Sequence, residues 1–306
     1  MEVASSSLKA SCLLTLRYFG IFRYPLTLQE IHQFTGIRAS ISEVQRSLDE
    51  LLTEAEIYQS GLFYMTENKE DWVEERRKGN ERAHILLDKS RKYVSVISAF
   101  PFVRGIAISG SLSKYYASLN PDIDYFIITA ANRLWIARSL LHLFKKFTFI
   151  TGHQHYFCMN YFVDTESLKI THRNIYTAVE VDTLLPAYNL PILRQFFESN
   201  GWAREFLPNH PGMVNVNYLL EDKNHTFKKL LEWLIELIVP GRVNQALMKL
   251  TDTKWRRKWK KAGYPEANYE SAFHTTLHIS KNHPDDYEKK VLKSLAQFQV
   301  SIISGI

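Results

Sequence analysis

The chain has 306 residues, enough for about two domains. Apolar residues make up 45% and charged residues 23%, a folded composition that excludes a disordered tail, a collagen and a low-complexity array. Lys plus Arg is 38 against 32 for Asp plus Glu, and a net charge of +6 permits an anionic partner such as a nucleotide or RNA without requiring one.

Residues 1–9 are mostly polar and the apolar run after them is broken by Arg17, which makes a poor signal peptide and gives a cytoplasmic expectation. Cys12 and Cys158 are the two cysteines, and neither sits in a CxxC pair. A disulfide scaffold and a cysteine zinc site are thereby excluded. In the C-terminal half the longest apolar stretch, 234–240, carries Glu236 and is too short to span a bilayer, so no membrane is expected as a partner.

Over 10–65 the pattern is three helices and a small hairpin. Thr27 with Glu30 reads as a capping box before the helix 28–34, and Ser40 or Ser42 starts a third helix with Val44, Leu48, Leu51 and Leu52 on one face. Two short strand-like pieces, 57–58 and 62–65, follow. This is the outline of a winged helix-turn-helix, which leaves nucleic acid open as a partner. The outward residues of the third helix, Glu43, Gln45, Arg46, Asp49 and Glu50, are more acidic than basic, the wrong balance for a phosphate backbone.

Residues 70–99 form one long helix by their stripe Ala83, Leu86, Leu87, Val94 and Ile97; Arg76, Arg77, Lys89, Arg91 and Lys92 give it a basic, solvated side. Then come strands at 103–109, 123–129, 147–150 and 156–163, with helices at 112–117 and 132–146. They predict a sheet of at least four strands with helices on one side. From 171 the pattern is helical. The expected fold class is α/β (α+β), a mixed-sheet core at 101–170 joined by a linking helix (70–100) to a winged-helix-like domain (1–69) and followed by a helical domain (171–306).

The chemistry concentrates in Ile106-Ala107-Ile108-Ser109-Gly110-Ser111-Leu112-Ser113-Lys114 and Asp122-Ile123-Asp124-Tyr125. Asp122 and Asp124 lie two apart at the start of an apolar strand, so both carboxylates take one face. Two like charges held together call for a cation, and Mg2+ is held by one or two carboxylates plus substrate phosphates. Gly110 lets the backbone approach a ligand, Ser111 adds a hydroxyl at a helix start, and Lys114 adds a positive charge one turn on.

This segment resembles the nucleotidyltransferase superfamily related to DNA polymerase beta, over residues 105–165. The family pattern is a hydrophobic residue, Gly, then Gly or Ser, and about ten residues later Asp-hydrophobic-Asp. Ser109 is one residue more than the pattern has. The resemblance implies that Gly110 and Ser111 bind the triphosphate of an NTP co-substrate, that Asp122 and Asp124 bind Mg2+ or Mn2+, and that a nucleoside monophosphate passes to an acceptor hydroxyl. The family's third acid, on a later strand, falls here at Asn160, which can offer a carbonyl oxygen to a metal but is no base. Asp164 or Glu166 is left to fill that role, or the second metal is weakly held. A nucleotide-binding pseudoenzyme, or a regulator binding nucleic acid through its N-terminal module, is the alternative.

His153 and His155 flank Gln154 before that strand but lack further ligands at metal spacing. Lys254, Arg256, Arg257, Lys258, Lys260 and Lys261 surround Trp255 and Trp259, which read as an amphipathic helix with its tryptophans inward. His274, His278 and His283 are irregularly spaced and read as surface or cleft-wall residues.

Overall fold

A computed structural model describes residues 2–150, 152–213, 216–220 and 226–304. The N-terminal unit contains α1 (Glu2–Gly20), β1 (Leu26–Thr27), α2 (Leu28–Phe34), α3 (Ile41–Thr53), β2 (Tyr58–Ser60) and β3 (Phe63–Met65). The strands form an antiparallel sheet in the order β1-β3-β2. Both helix starts are set by local chemistry. Thr27 and Ser40 each accept from the backbone N–H of the glutamate three residues on, and that glutamate bonds back to the cap. Val44, Leu48 and Leu51 of α3 are buried, spaced one helical turn apart.

The long helix α4 (Glu70–Ser98) buries the expected stripe. Its Arg76 departs from the expected solvated side. Arg76 is 6% exposed, pairs with Glu30 at 2.7 Å, bonds Pro25 O, and stacks over the rings of Tyr24 and Phe63. A guanidinium covering aromatic rings is a tie between α4 and the N-terminal unit, and helical periodicity alone does not distinguish it from a solvated arginine.

Next come β4 (Val103–Ser109), β5 (Asp124–Thr129), α5 (Leu134–Thr148) and β6 (Cys158–Asp164). They are followed by α6 (Ile175–Asp182), β7 (Leu185–Tyr188), α7 (Leu190–Ser199), α8 (Ala203–Phe206), α9 (Thr226–Ile238), α10 (Arg242–Lys261), α11 (Tyr269–Ala272), β8 (Ile279–Lys281) and α12 (Tyr287–Ser304). The central sheet has the order β7-β4-β5-β6-β8, with β5 and β6 parallel and every other pair antiparallel.

Three expectations are corrected here. Residues after 171 are not a separate helical unit, because β7 and β8 complete both edges of the sheet. Pro186 lies within β7, since an edge strand tolerates proline on its unpaired side, and three-residue β8 is too short to show alternation. Residues 147–150 are not a strand: α5 runs to Thr148, and Phe147, Phe149 and Ile150 are exposed with no strand beside them. Helices cover both sheet faces rather than one. Ile106, Ile108 and Ile127 pack with Val94, Ile97 and Leu141 of α4 and α5. Ala107, Phe126 and Ile128 pack with Leu193 and Phe196 of α7, in a core continuous with Leu48 and Ile31 of the N-terminal unit. Residues 1–69 therefore share a core with the rest of the chain.

The tryptophans of α10 turn inward as expected: Trp255 and Trp259 pack on Phe273, with ring centroids 6.0 and 5.2 Å away. Among the described residues no helix is long and apolar enough to cross a membrane.

Candidate active site

A cavity of about 700 Å³ opens where the N-terminal unit, the sheet and the 271–288 segment meet. One wall is the end of β4 and the start of β5. Ser109 pairs with Asp124 across the two strands, and the chain turns at Gly110 with φ +69°. A Cβ at Gly110 would lie 2.7 Å from Asp124 Oδ2, so the turn needs glycine for its conformation and for the close approach. The turn is braced from within: Ser113 Oγ and Lys114 Nζ both donate to Gly110 O, at 2.9 and 3.1 Å. Ser111 stays exposed at the cleft.

Both aspartates line the cleft, but their environments differ. Asp122 lies just before β5, is exposed, and accepts from His155 Nδ1 at 2.8 Å. Asp124 lies deeper and accepts from Asn160 Nδ2 at 2.9 Å. Burial pushes Asp124 up to about 6, and the charges of Asp122 and Glu180 add to the rise. Burial and the Asp124 charge likewise push the neighbouring Cys158 thiol up to about 12.

Asn160 presents its amide nitrogen to Asp124, so the expected carbonyl contact to a metal is replaced by a hydrogen bond that orients the carboxylate. It occupies a register shift of β6, where Tyr125 pairs with Met159 and Phe126 with Tyr161. Asp164 is not in the cleft. It pairs with Thr129 at the far end of the strands, five residues from the Asp124–Cys158 pair, or about 17 Å at strand rise. There it is fully buried and accepts from His278 Nδ1, Asn132 N and Glu166 N. The register shift at Asn160 also reverses the alternation of β6: Asp164 pairs with Thr129, an odd five residues from Asp124, and so lies on the opposite face of the sheet. Glu166 lies at that end too, bonded to Asn132.

Comparison of the chain with protein-family models, with curated proteins and with solved structures finds no match. The site therefore rests on its own geometry.

Among the described residues no three His, Cys, Asp or Glu side chains form a metal-holding group. Asp122 and Asp124 still suit a hard cation. They are carboxylates on one cleft wall, and the Asp122 charge already raises Asp124. A bound cation would relieve that repulsion, and Mg2+ needs only one or two protein carboxylates where phosphates supply the remainder.

The structure adds residues that sequence reasoning missed. Glu180 of α6 lines the cleft and pairs with Lys114 at 2.8 Å. Lys281 and Glu288 line it as a second ion pair at 2.7 Å. Glu180 had a signal, as the lone acid before Asp182 in the apolar run Ile175–Val181; the Lys281–Glu288 pair joins the end of a short strand to a helix start and had none. His274 and His283 line the cleft, while His278 lies away from it at Asp164. His153 packs beside Tyr156. Tyr24 Oη donates to Lys114 O at 3.1 Å, tying the turn after α1 to the Gly110–Lys114 segment.

Proposed function

We propose that the chain is a Mg2+- or Mn2+-dependent nucleotidyltransferase of the cytoplasm, moving a nucleoside monophosphate from an NTP to an acceptor hydroxyl. The observation that carries this reading is the meeting of the Gly110 turn with Asp124 at the wall of a cleft. The order of strand, glycine turn and paired aspartates is the one that makes residues 105–165 resemble the superfamily related to DNA polymerase beta.

In this reading Ser111 and Lys114 bind the triphosphate, Lys114 exchanging its pairing with Glu180 for a phosphate oxygen. Asp122 and Asp124 hold the metal, which supplies charge neutralisation on the transferring phosphate when bound. Asn160 fixes the rotamer of Asp124, and His155 that of Asp122. The acceptor oxygen forms the bond to the α-phosphorus, the bond to pyrophosphate breaks, and the acceptor proton passes to Glu180.

A second reading, nucleotide binding without turnover, is favoured by Asn160 standing where a third acid would complete the site. One experiment tests binding and the next separates the two. Each of the four NTPs is added with and without Mg2+, and melting is compared between the wild type and Asp122→Asn/Asp124→Asn. A Mg2+-dependent rise absent from the variant is expected, because a ligand of the native state stabilises it. A folded wild type that responds to no NTP retires both readings. Pyrophosphate release with candidate acceptors then distinguishes transfer from binding alone.

A further inference from the structure

The cleft continues past its reacting end. Two residues along β5 from Asp124, on the same face, Phe126 begins an aromatic lining. Its ring lies 5.3 Å from Tyr161 and 4.7 Å from Phe196, and Tyr176 of α6 also lines the cavity. Two polar atoms are buried in these walls without a hydrogen-bond partner, Tyr18 Oη and His283 Nε2. Tyr18 is only 4% exposed. Asn282 N donates to Asn160 O at 2.9 Å, which sets His283 beside the strand that holds Asp124 in place.

Tyr18, Tyr176 and His283 line one cavity with Glu180. Burial raises the Tyr18 phenol, with Glu180 and then Tyr176 adding to it. Burial pushes His283 down to about 4, with Glu180 and Glu288 acting against that shift. The same Glu180 acts on Asp124. Glu180 lines the same cleft as both ends and pairs with Lys114 of the reacting end.

A buried polar atom without a partner is costly, and two of them in the walls of one cavity call for a partner there, a bound ligand or an ordered water. A phenol donates, a neutral imidazole nitrogen takes either role and a carboxylate accepts, a set that suits hydroxyl groups. Lys281 at this end already pairs with Glu288, whereas Lys114 and Arg23 belong to the reacting end, Tyr24 beside Arg23 bonding Lys114 O, so the lysine of the inner end is already neutralised and an anion gains little there. Aromatic walls with a few convergent polar groups suit the flat apolar faces of a ring.

We infer that the inner end binds a neutral polyhydroxylated ring, a sugar or a cyclitol. Its role as the acceptor rests on the transferase reading; its binding does not.

The test uses the full chain and six probes: glucose, galactose, mannose and myo-inositol as neutral rings, glucosamine as a cation and glucose 6-phosphate as an anion. Affinities are measured by calorimetry and melting with Mg2+-ATP present and absent. A neutral probe is expected to bind more tightly than both charged ones. Tyr18→Phe keeps the ring and removes the hydroxyl, and it should weaken that probe about tenfold while leaving the ATP response unchanged. His283→Leu should weaken the same probe. The inference is overturned if no neutral probe binds, if a charged one binds more tightly, or if both variants bind like the wild type. A wild type that binds a neutral ring but no NTP retires the transferase reading and leaves this one standing. Binding of NTP without any ring does the reverse.

Discussion

A methyl group on Gly110 would stand 2.7 Å from Asp124 Oδ2, closer than a real Cβ approaches an oxygen. The backbone of one residue and the carboxylate of the other therefore specify each other. The conformation adds to this, since φ +69° is costly for any residue with a side chain. Gly110→Ala is expected to lose about 1–3 kcal/mol of stability in urea and to abolish the Mg2+-ATP melting response. Gly263 is the control. It has φ +74° with nothing within 4 Å of a built Cβ, so Gly263→Ala bears the conformational strain alone and keeps the response. Equal ATP responses in the two variants would sink the claim that the Gly110 approach matters to the site.

Asp124 makes the metal-free protein sensitive to pH. Its native pKa is about 6, raised from 3.8 by burial first and then by neighbouring charge. A carboxyl raised on folding stabilises the native state below the unfolded value, and that contribution is lost as pH rises through the native value. Wild-type stability should fall between about pH 4 and pH 7 relative to Asp124→Asn, reaching a difference of about 2 kcal/mol. Urea titrations of both proteins in EDTA check the sign. Added Mg2+ at pH 7 should recover stability in the wild type and not in the variant. A flat difference across this range would place Asp124 in a solvated setting.

Lys114 holds two partners, Gly110 O and Glu180. Lys114→Ala is expected to weaken ATP about tenfold, the scale of one charge-assisted hydrogen bond. Adenosine is the discriminating ligand, because it lacks phosphate. If adenosine weakens as much as ATP, the loss comes from a disturbed cleft and not from a phosphate contact.

Much of this site is local in sequence, and local features were legible. The glycine turn and the paired aspartates lie within fifteen residues of one another, and the expected strand 103–109 has the bounds of β4. The capping box at Thr27 was visible for the same reason, since it involves residues three apart, while Ser40 and Ser42 both offered a start for the third helix until the box of Ser40 with Glu43 decided it. Glu180, Tyr18 and His283 reach the cleft through packing between elements far apart in the chain, which no spacing encodes. Asp164 fails for a related reason: the extra residue at Asn160 breaks the two-residue alternation of β6, and only the register against β5 shows that Asp164 lies on the other face and at the far end. The edge strands β7 and β8 are defined by pairing partners rather than by their own composition.

The N-terminal unit has the helix order of a nucleic-acid reader, but its exposed face carries the wrong charge. Glu43, Arg46, Asp49 and Glu50 of α3 are exposed, three acids against one base. Glu50 and Glu54 are the partners of Lys9, so the nearest basic side chain of α1 is already engaged. The turn after α1 is also fixed to the cleft, through Tyr24 on Lys114 O and Phe22 beside Tyr287. These contacts make the unit a wall of the cleft. Duplex DNA titrated against the full chain in fluorescence anisotropy should therefore show no binding that rises steeply as salt is lowered from about 200 to about 50 mM. Binding that rises steeply over that range and survives Asp122→Asn/Asp124→Asn would contradict this and would assign α3 a reader's role. If instead the double variant loses it, the nucleic acid occupies the cleft as a substrate, and the role of α3 as a wall is unchanged.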